Sequence, residues 1–123
     1  MTTARQRPSV ELGRQGEELA AEFLSELGMI VMARNWRCDI GELDIVARDG
    51  ECLVVCEVKT RSSAAFGNPV ETVTGRKVKR MRRLALRWLE ENSIHAREIR
   101  FDIVGVLRMP GGSMAIQHVR GVD

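Results

Sequence analysis

The run CLVVCEVK, residues 52–59, is the segment that most constrains what this chain can fold into. Side chains alternate between the two faces of a strand, and both faces of this run are apolar as far as residue 56. Such a strand needs cover on both sides, so the run predicts a central strand in a sheet with further layers above and below it. Glu57 and Lys59 follow on one face, and burying such charges is costly unless they are paired or bind a metal.

The remaining elements are predicted from hydrophobic periodicity and from turn residues. Asp49-Gly50 lies between two β-rich runs, which is a strong hairpin signal. Gly28 favours the end of a first helix because glycine readily adopts the left-handed conformation. The predictions are a flexible N-terminus at 1–9, helices at 10–27 and 75–92, strands at 29–33, 43–48, 52–59, 99–107 and 114–119, and a loop at 61–74. The first three strands form a predicted antiparallel meander, within a single α/β domain, 10–120, of order α-β-β-β-α-β-β.

Length and composition exclude several classes of protein. A chain of 123 residues suits one domain and can bury roughly two-thirds of its surface, so it needs no disulfide or metal for stability. No apolar run approaches the ~20 residues that cross a bilayer, and no apolar signal region follows Met1, so we expect a cytoplasmic protein that binds no membrane. The three cysteines, Cys38, Cys52 and Cys56, favour buried thiols over a zinc site or a disulfide framework.

The net charge of +2 hides a strong asymmetry along the chain. Residues 1–58 carry 6 Lys/Arg and 11 Asp/Glu, for a charge of −5, whereas residues 59–87 carry 9 Lys/Arg and 1 Glu, for a charge of +8. The remaining residues, 88–123, carry 4 Lys/Arg and 5 Asp/Glu, for a charge of −1. A basic block beside an acidic block suggests that a polyanion is held next to a cation site.

Asp44 adds a second carboxylate to that of Glu57. The hairpin can bring the face of Glu42 and Asp44 beside that of Glu57 and Lys59. Mutual repulsion makes such a cluster unfavourable without a cation, and Mg²⁺, with Mn²⁺ as the alternative, suits these oxygen ligands. We expect Asp44, Glu57 and the backbone carbonyl of Val58 to bind the metal. The metal can activate water at a phosphodiester, with Lys59 orienting that water or stabilising the developing charge.

The same spacing also fits a structural Glu57–Lys59 ion pair at a strand end, and Glu-x-Lys alone favours that simpler interpretation. The second predicted helix weighs against it because seven Lys/Arg lie between Arg76 and Arg87. A face of one sign is typical of contact with nucleic-acid phosphates, although ordinary solvent exposure is the alternative. The expected contacts are Arg61, Lys77, Lys79, Arg80, Arg83 and Arg87. The chain has no Tyr, so we expect backbone recognition rather than base reading.

Asp44, twelve intervening residues and Glu57-Val58-Lys59 resemble the PD-(D/E)XK nuclease motif. Further motifs resemble the bacterial YraN family: Gly13-Arg-Gln-Gly-Glu17, Asn35, Gly41-Glu-Leu-Asp-Ile45, Glu57-Val-Lys-Thr-Arg61, Phe66-Gly-Asn-Pro69, Lys77 and Arg100-Phe-Asp102. The resemblance extends from about Gly13 to Val119. That family is similar to archaeal Holliday-junction resolvases, which implies a restriction-endonuclease-like fold with a mixed central sheet flanked by helices.

The resemblance also implies roles for individual residues. Asp44 and Glu57 would bind the metal, Lys59 would be the catalytic lysine, and Glu17 would be the first-helix acid that assists the metal site. Glu18 is the neighbouring alternative, and a solvated helix acid is the simpler interpretation of Glu17. Leu43 stands where the name of the motif has proline, a residue that is often missing from such nucleases. Related resolvases are dimers, so a homodimer is an expectation by analogy.

Three functions fit these observations. The leading hypothesis is a Mg²⁺-dependent endonuclease that hydrolyses phosphodiester bonds in DNA, in particular structured or branched DNA. The main alternative is a nucleic-acid-binding accessory protein that has a nuclease fold and no appreciable turnover. A third is an interaction protein whose basic helix binds a protein partner. The intact set of Asp44, Glu57 and Lys59 favours the enzyme because a binding module does not need all three.

Overall fold

The computed structural model describes residues 2–62 and 75–122, with side chains described from Val10 onward. Its elements, in chain order, are α1 (Thr2–Glu26), β1 (Ile30–Cys38), β2 (Gly41–Asp49), β3 (Cys52–Arg61), α2 (Gly75–Asn92), β4 (Glu98–Arg108) and β5 (Met114–Val119). This order and the α/β class, with a mixed sheet and two helices, confirm the predicted fold. Most of the predicted loop, from residue 63 onward, lies outside the described residues.

The sheet has the spatial order β1-β2-β3-β4-β5. Strands β1, β2 and β3 pair antiparallel and form the predicted meander, with Gly50 at a φ of 61° in the hairpin turn. Strand β4 pairs parallel with β3, and β5 returns antiparallel to β4. Parallel neighbours need a crossover connection, and α2 lies within the one between β3 and β4. The run at residues 52–59, which lies in β3, is therefore part of the middle strand of five.

One helix covers each face of the sheet. On the α1 face, Ala20 and Leu24 pack in a cluster with Val54 and Cys56 of β3. On the α2 face, the packed residues include Leu53 and Val55 of β3, Leu43 of β2, Phe101 of β4, and Met81, Leu84, Ala85 and Trp88 of α2. The alternation predicted for β3 is therefore confirmed, and its apolar side chains divide between the two cores.

The end of α1 explains why Gly28 is suited to its position. Gly28 has a φ of 95°, its N–H donates to Ser25 O at 3.0 Å, and Met29 N–H donates to Leu24 O at 3.1 Å. These two bonds form a Schellman motif, which satisfies carbonyl groups at the end of the helix. The helix begins at Thr2, earlier than the predicted start at Val10, and the flexibility predicted for residues 1–9 stays a prediction.

Strand β1 is longer than the predicted run of residues 29–33. Its pairing with β2 shifts register between Val31 and Ala33, and Asn35 has a φ of 51°. Such irregularities allow a strand to continue through a segment that looks like a loop in sequence. Trp36 therefore pairs with Leu43 and packs against the α2-side core. None of the described helices is both long and apolar enough to cross a membrane.

Candidate metal and nucleic-acid site

Helix α1 packs closely against β3 at Gly16. A Cβ at Gly16 would overlap the hydroxyl of Thr60 and lie 3.0 Å from Thr60 Cβ, so only glycine allows this distance between helix and strand. The next residue, Glu17, is half-buried, and its charge is close enough to raise the pKa of Asp44. The motif Gly13-Arg-Gln-Gly-Glu17 therefore brings an acid of α1 towards the acids of the sheet.

Asp44 lies on β2 and is held by the neighbouring strand. Its Oδ2 accepts a hydrogen bond of 2.8 Å from the backbone N–H of Val58. Burial, together with the negative charges of Glu57, Glu17 and Glu42, raises the pKa of Asp44 from 3.8 to about 6, and that hydrogen bond opposes the rise. Desolvation and like charges both disfavour the ionised form. The surrounding protein groups therefore do not offset the cost of burying Asp44 in its charged form.

Glu57 on β3 has two carboxylate oxygens in different situations. Oε1 forms an ion pair of 2.5 Å with Nζ of Lys77 on α2, and the Glu57 side chain is only 19% exposed. Oε2 is buried and has no hydrogen-bond partner among the residues that the structure describes. A buried, unpartnered carboxylate oxygen is costly, so Oε2 marks a position where a ligand would be favourable.

A cavity of about 310 Å³ between α2 and the sheet connects these groups. Its polar lining comes from Glu42, Asp44, Glu57, Lys77 and Arg80. Its apolar lining includes Leu43, Val55, Met81 and Leu84, which belong to the α2-side core. The carboxylates of the sheet thus lie on one wall of the cavity, and the first turns of the basic helix α2 lie on another wall.

The donor set fits a hard divalent cation. Within residues 2–62 and 75–122, no three His, Cys, Asp or Glu side chains are arranged as a metal-binding group, so Glu17, Asp44 and Glu57 do not form a three-carboxylate site. Mg²⁺ is commonly held by one or two carboxylates together with water and substrate phosphate oxygens. Asp44 and Glu57, with the orphaned Oε2, supply that smaller set of ligands. The metal-binding roles themselves, including that of the Val58 carbonyl, stay predictions.

Glu17 and its neighbour Glu18 have different surroundings. Glu18 is 61% exposed and pairs with Arg34 of β1 at 3.3 Å. Glu17 is half-buried and influences Asp44 electrostatically. The geometry therefore favours Glu17 over Glu18 as the α1 acid near the sheet carboxylates. Glu42, which also lines the cavity, pairs with Arg37 at 2.9 Å.

The predicted basic contacts do not form one uniform surface. Lys79, Arg80 and Arg83 are exposed, and their positions on α2 make them neighbours along the helix. Arg87 is engaged in ion pairs with Asp39 and, at 3.7 Å, with Glu91. Arg61 is exposed at the end of β3, and its Nη1 donates to Thr60 O at 2.8 Å.

Lys59 and Lys77 also occupy informative positions. Lys59 is half-buried and lies on the α2 face of β3, two residues beyond Glu57. Lys77, predicted as a nucleic-acid contact, lines the cavity and pairs with Glu57. Sequence reasoning missed this pair because it joins a strand to a helix, and no local spacing reveals such a contact.

A second buried ionic network was also missed. Asp102 on β4 is fully buried, and it accepts hydrogen bonds from Arg100 at 2.9 and 3.1 Å and from Gly121 N–H at 3.0 Å. His118 Nε2 lies 2.8 Å from Asp102 Oδ2. Burial would raise the pKa of Asp102, but the bonds from Arg100, Gly121 and His118 lower it overall. Strand alternation places Arg100 and Asp102 on one face, which was the available signal, whereas His118 required the tertiary structure.

Comparison with known proteins gives a consistent family. The model of a family described as "Uncharacterised protein family UPF0102" matches residues 16–106, more than half of the chain. A UPF0102 protein of Beutenbergia cavernae is 57% identical over 111 residues, covering 90% of this chain and 94% of that protein. Similar proteins of Nocardioides sp. and Acidothermus cellulolyticus are 54% and 52% identical, covering 90% and 89% of this chain and 90% and 91% of theirs.

Proposed function

The chain belongs to the UPF0102 family, the one predicted from its motifs as YraN, and because that family is uncharacterised we propose a function from the site itself. We propose that the protein is a Mg²⁺-dependent endonuclease that hydrolyses phosphodiester bonds in DNA, with structured or branched DNA as the preferred class. Family membership names no activity, so the nuclease proposal rests on the chemistry of the cavity.

The observation that carries the proposal is uncompensated negative charge in a cavity beside a basic helix. Asp44 has a pKa raised to about 6, and Glu57 Oε2 is buried without a hydrogen-bond partner among the described residues. A fold that needed these acids only for structure would be expected to satisfy both of them. Groups with perturbed proton affinity in a cleft are typical of functional sites.

The residues would divide the work as follows. Asp44 and Glu57 bind the cation, Glu17 assists from α1, and the N–H of Val58 fixes the orientation of Asp44. A bound Mg²⁺ supplies charge stabilisation at the phosphate and lowers the pKa of water. Lys59, on the same strand face as Glu57, orients the attacking water or stabilises the developing negative charge.

The basic residues would hold the substrate rather than react with it. Lys79, Arg80 and Arg83 present exposed positive charge on α2, and Arg80 extends this surface into the cavity. Contacts of this kind bind the phosphate backbone and release counterions. Backbone contacts carry no base sequence, so they suit recognition of nucleic-acid shape rather than of a sequence.

An accessory protein without turnover is the second candidate, and one observation favours it. Lys77 already compensates one oxygen of Glu57, so part of the acid pair is satisfied without a metal. In that function the basic helix would bind nucleic acid and the carboxylates would only shape the cavity. The two candidates predict the same binding and differ in cleavage.

A cleavage panel separates the two candidates. Wild-type protein is incubated with Mg²⁺ or Mn²⁺ and duplex, single-stranded, flap and four-way DNA, and with RNA. We expect cleavage of structured DNA that EDTA abolishes. Asp44→Asn and Lys59→Met should lower the rate by at least about 100-fold, in line with the loss of a metal ligand or a charge-stabilising group, and should retain DNA binding.

Glu18→Gln is the matched control, because it removes an acid next to Glu17 that is exposed and paired with Arg34. It should cleave as the wild type does. Equal cleavage by wild type, Asp44→Asn and Lys59→Met would identify a contaminating nuclease and contradict the proposal. Binding of structured DNA without cleavage of any substrate would instead support the accessory protein.

A further inference from the structure

Lys77 is the cationic group that the structure brings to Glu57, a proposed metal ligand. Its Nζ lies 2.5 Å from Oε1 of Glu57, and it lines the same cavity as Asp44 and Arg80. The Lys77 side chain is 32% exposed, so it stands at the boundary between the buried carboxylate and the opening. A lysine carries its charge on a flexible four-carbon stem, which lets the ammonium group move between partners.

A divalent cation on the open Oε2 of Glu57 would weaken the Lys77–Glu57 pair, which is made through Oε1 of the same carboxylate. A divalent cation on Glu57 would stand close to an ammonium group in a partly buried setting, where like charges repel strongly. At the same time, removing Lys77 from Glu57 without any replacement would leave a buried carboxylate uncompensated. The two cations therefore compete for the charge of Glu57 as the site fills.

We propose that Lys77 is an exchangeable counter-ion that couples metal binding to nucleic-acid binding. In the absence of a metal it compensates Glu57. When a divalent cation takes Glu57, Lys77 pairs with a phosphate of the nucleic acid that lies against Arg80. This role rests on the proposed function, and it makes Lys77 a positioning residue that links the metal site to the substrate.

The exchange has a thermodynamic consequence that can be measured. Because the released ammonium group gains a phosphate partner only when nucleic acid is present, each ligand should increase affinity for the other by the same factor. Couplings of this kind are typically about 5- to 150-fold. In the absence of nucleic acid, the ammonium group competes with the metal, so its removal should tighten metal binding.

The test measures Mn²⁺ binding by electron paramagnetic resonance without nucleic acid, and four-way DNA binding with and without Ca²⁺. Lys77→Met should bind Mn²⁺ about tenfold more tightly than wild type and should lose most of the Ca²⁺–DNA coupling. Lys77→Arg retains the positive charge and should keep both weaker metal binding and coupling. Circular dichroism establishes that each variant is folded, and Lys77→Arg provides the second variant if Lys77→Met is not.

Lys79→Met is the matched control, because it removes the same charge from an exposed position of the same helix that does not line the cavity. It should leave Mn²⁺ affinity within about twofold of wild type, since exposed charges are screened. Equal changes in Mn²⁺ affinity in Lys77→Met and Lys79→Met, or weaker Mn²⁺ binding in Lys77→Met, would overturn the proposed exchange. Failure of wild type to bind Mn²⁺ would overturn the metal site as well, whereas metal binding without cleavage would contradict only the nuclease activity.

Discussion

Folding and metal binding favour opposite charge states of Asp44, because folding favours the neutral carboxyl group and metal binding needs the carboxylate. Asp44 is held by Val58 N–H and surrounded by the acids Glu57, Glu17 and Glu42, and burial together with their charges raises its pKa to about 6. A carboxyl whose pKa is higher in the folded state than in the unfolded state favours folding when protonated. The metal-free protein should therefore lose stability as the pH rises from 3.8 to about 6, and the loss should then remain constant.

Asp44→Asn tests this opposition because the amide oxygen can still accept the bond from Val58 while the charge is absent. At about pH 7 in EDTA, we expect the variant to be more stable than wild type by about 1–3 kcal/mol, the scale of a pKa shift of this size. Urea denaturation across the pH range measures the difference. The advantage should disappear near pH 4 and in saturating Mg²⁺, and an advantage that is independent of pH would show that the Asp44 charge is not its cause.

At the scale of elements, the strands and turns that depend on local residue patterns could be predicted from the sequence. The two apolar faces of β3 and the Asp49-Gly50 turn fixed the meander and the middle strand, because alternation and turn residues are local properties. The continuation of β1 through Asn35 was missed because its irregular pairing depends on β2. The Lys77–Glu57 pair was missed for the same reason, since it depends on how α2 packs on the sheet.

The docking of α1 on β3 is an element-scale feature with a matched pair of tests. Gly16→Ala places a methyl group against Thr60, whereas an added Cβ at Gly13 meets nothing within 4 Å. We expect Gly16→Ala to destabilise the protein by about 1–3 kcal/mol through overpacking. Gly13→Ala should stabilise it by about 0.5–1 kcal/mol, because alanine is the better helix former.

Thermal unfolding measures both glycine variants under the same conditions. Because Gly16 sets the approach of Glu17 to the sheet, Gly16→Ala should also weaken Mn²⁺ binding, and Gly13→Ala should not. Equal stability changes in the two variants would mean that the close contact with Thr60 does not determine how α1 docks.

At the scale of the whole molecule, charge is separated along the chain and then brought together by the fold. Acids of β2 and β3 line the cavity, and the basic helix α2 lies against the same opening. This charge asymmetry could be predicted from residue counts alone. The counts did not reveal that the basic residues have different partners, with Lys77 paired to Glu57 and Arg87 to Asp39.

Salt dependence tests whether this charge separation binds nucleic acid. Replacing Lys79, Arg80 and Arg83 together by Gln should weaken DNA binding and reduce the slope of log affinity against log salt by about 2–3, at about 0.9 per phosphate contact. Fluorescence anisotropy with four-way DNA measures both quantities. The control replaces Arg14, Arg34 and Arg97, which pair with Glu11, Glu18 and Glu51, and should change the slope much less. An equal effect of the two triple variants would leave only net charge as the explanation.

The proposed endonuclease requires Asp44 and Glu57 to hold a divalent cation together, and Mn²⁺ binding to wild type and to Glu57→Gln measures whether they do. Isothermal titration calorimetry without nucleic acid reports the number of ions bound and their affinity. We predict a Mn²⁺ site in wild type that Glu57→Gln weakens by at least about tenfold, the scale of a lost charged ligand. Unchanged Mn²⁺ affinity and stoichiometry in Glu57→Gln would contradict the account.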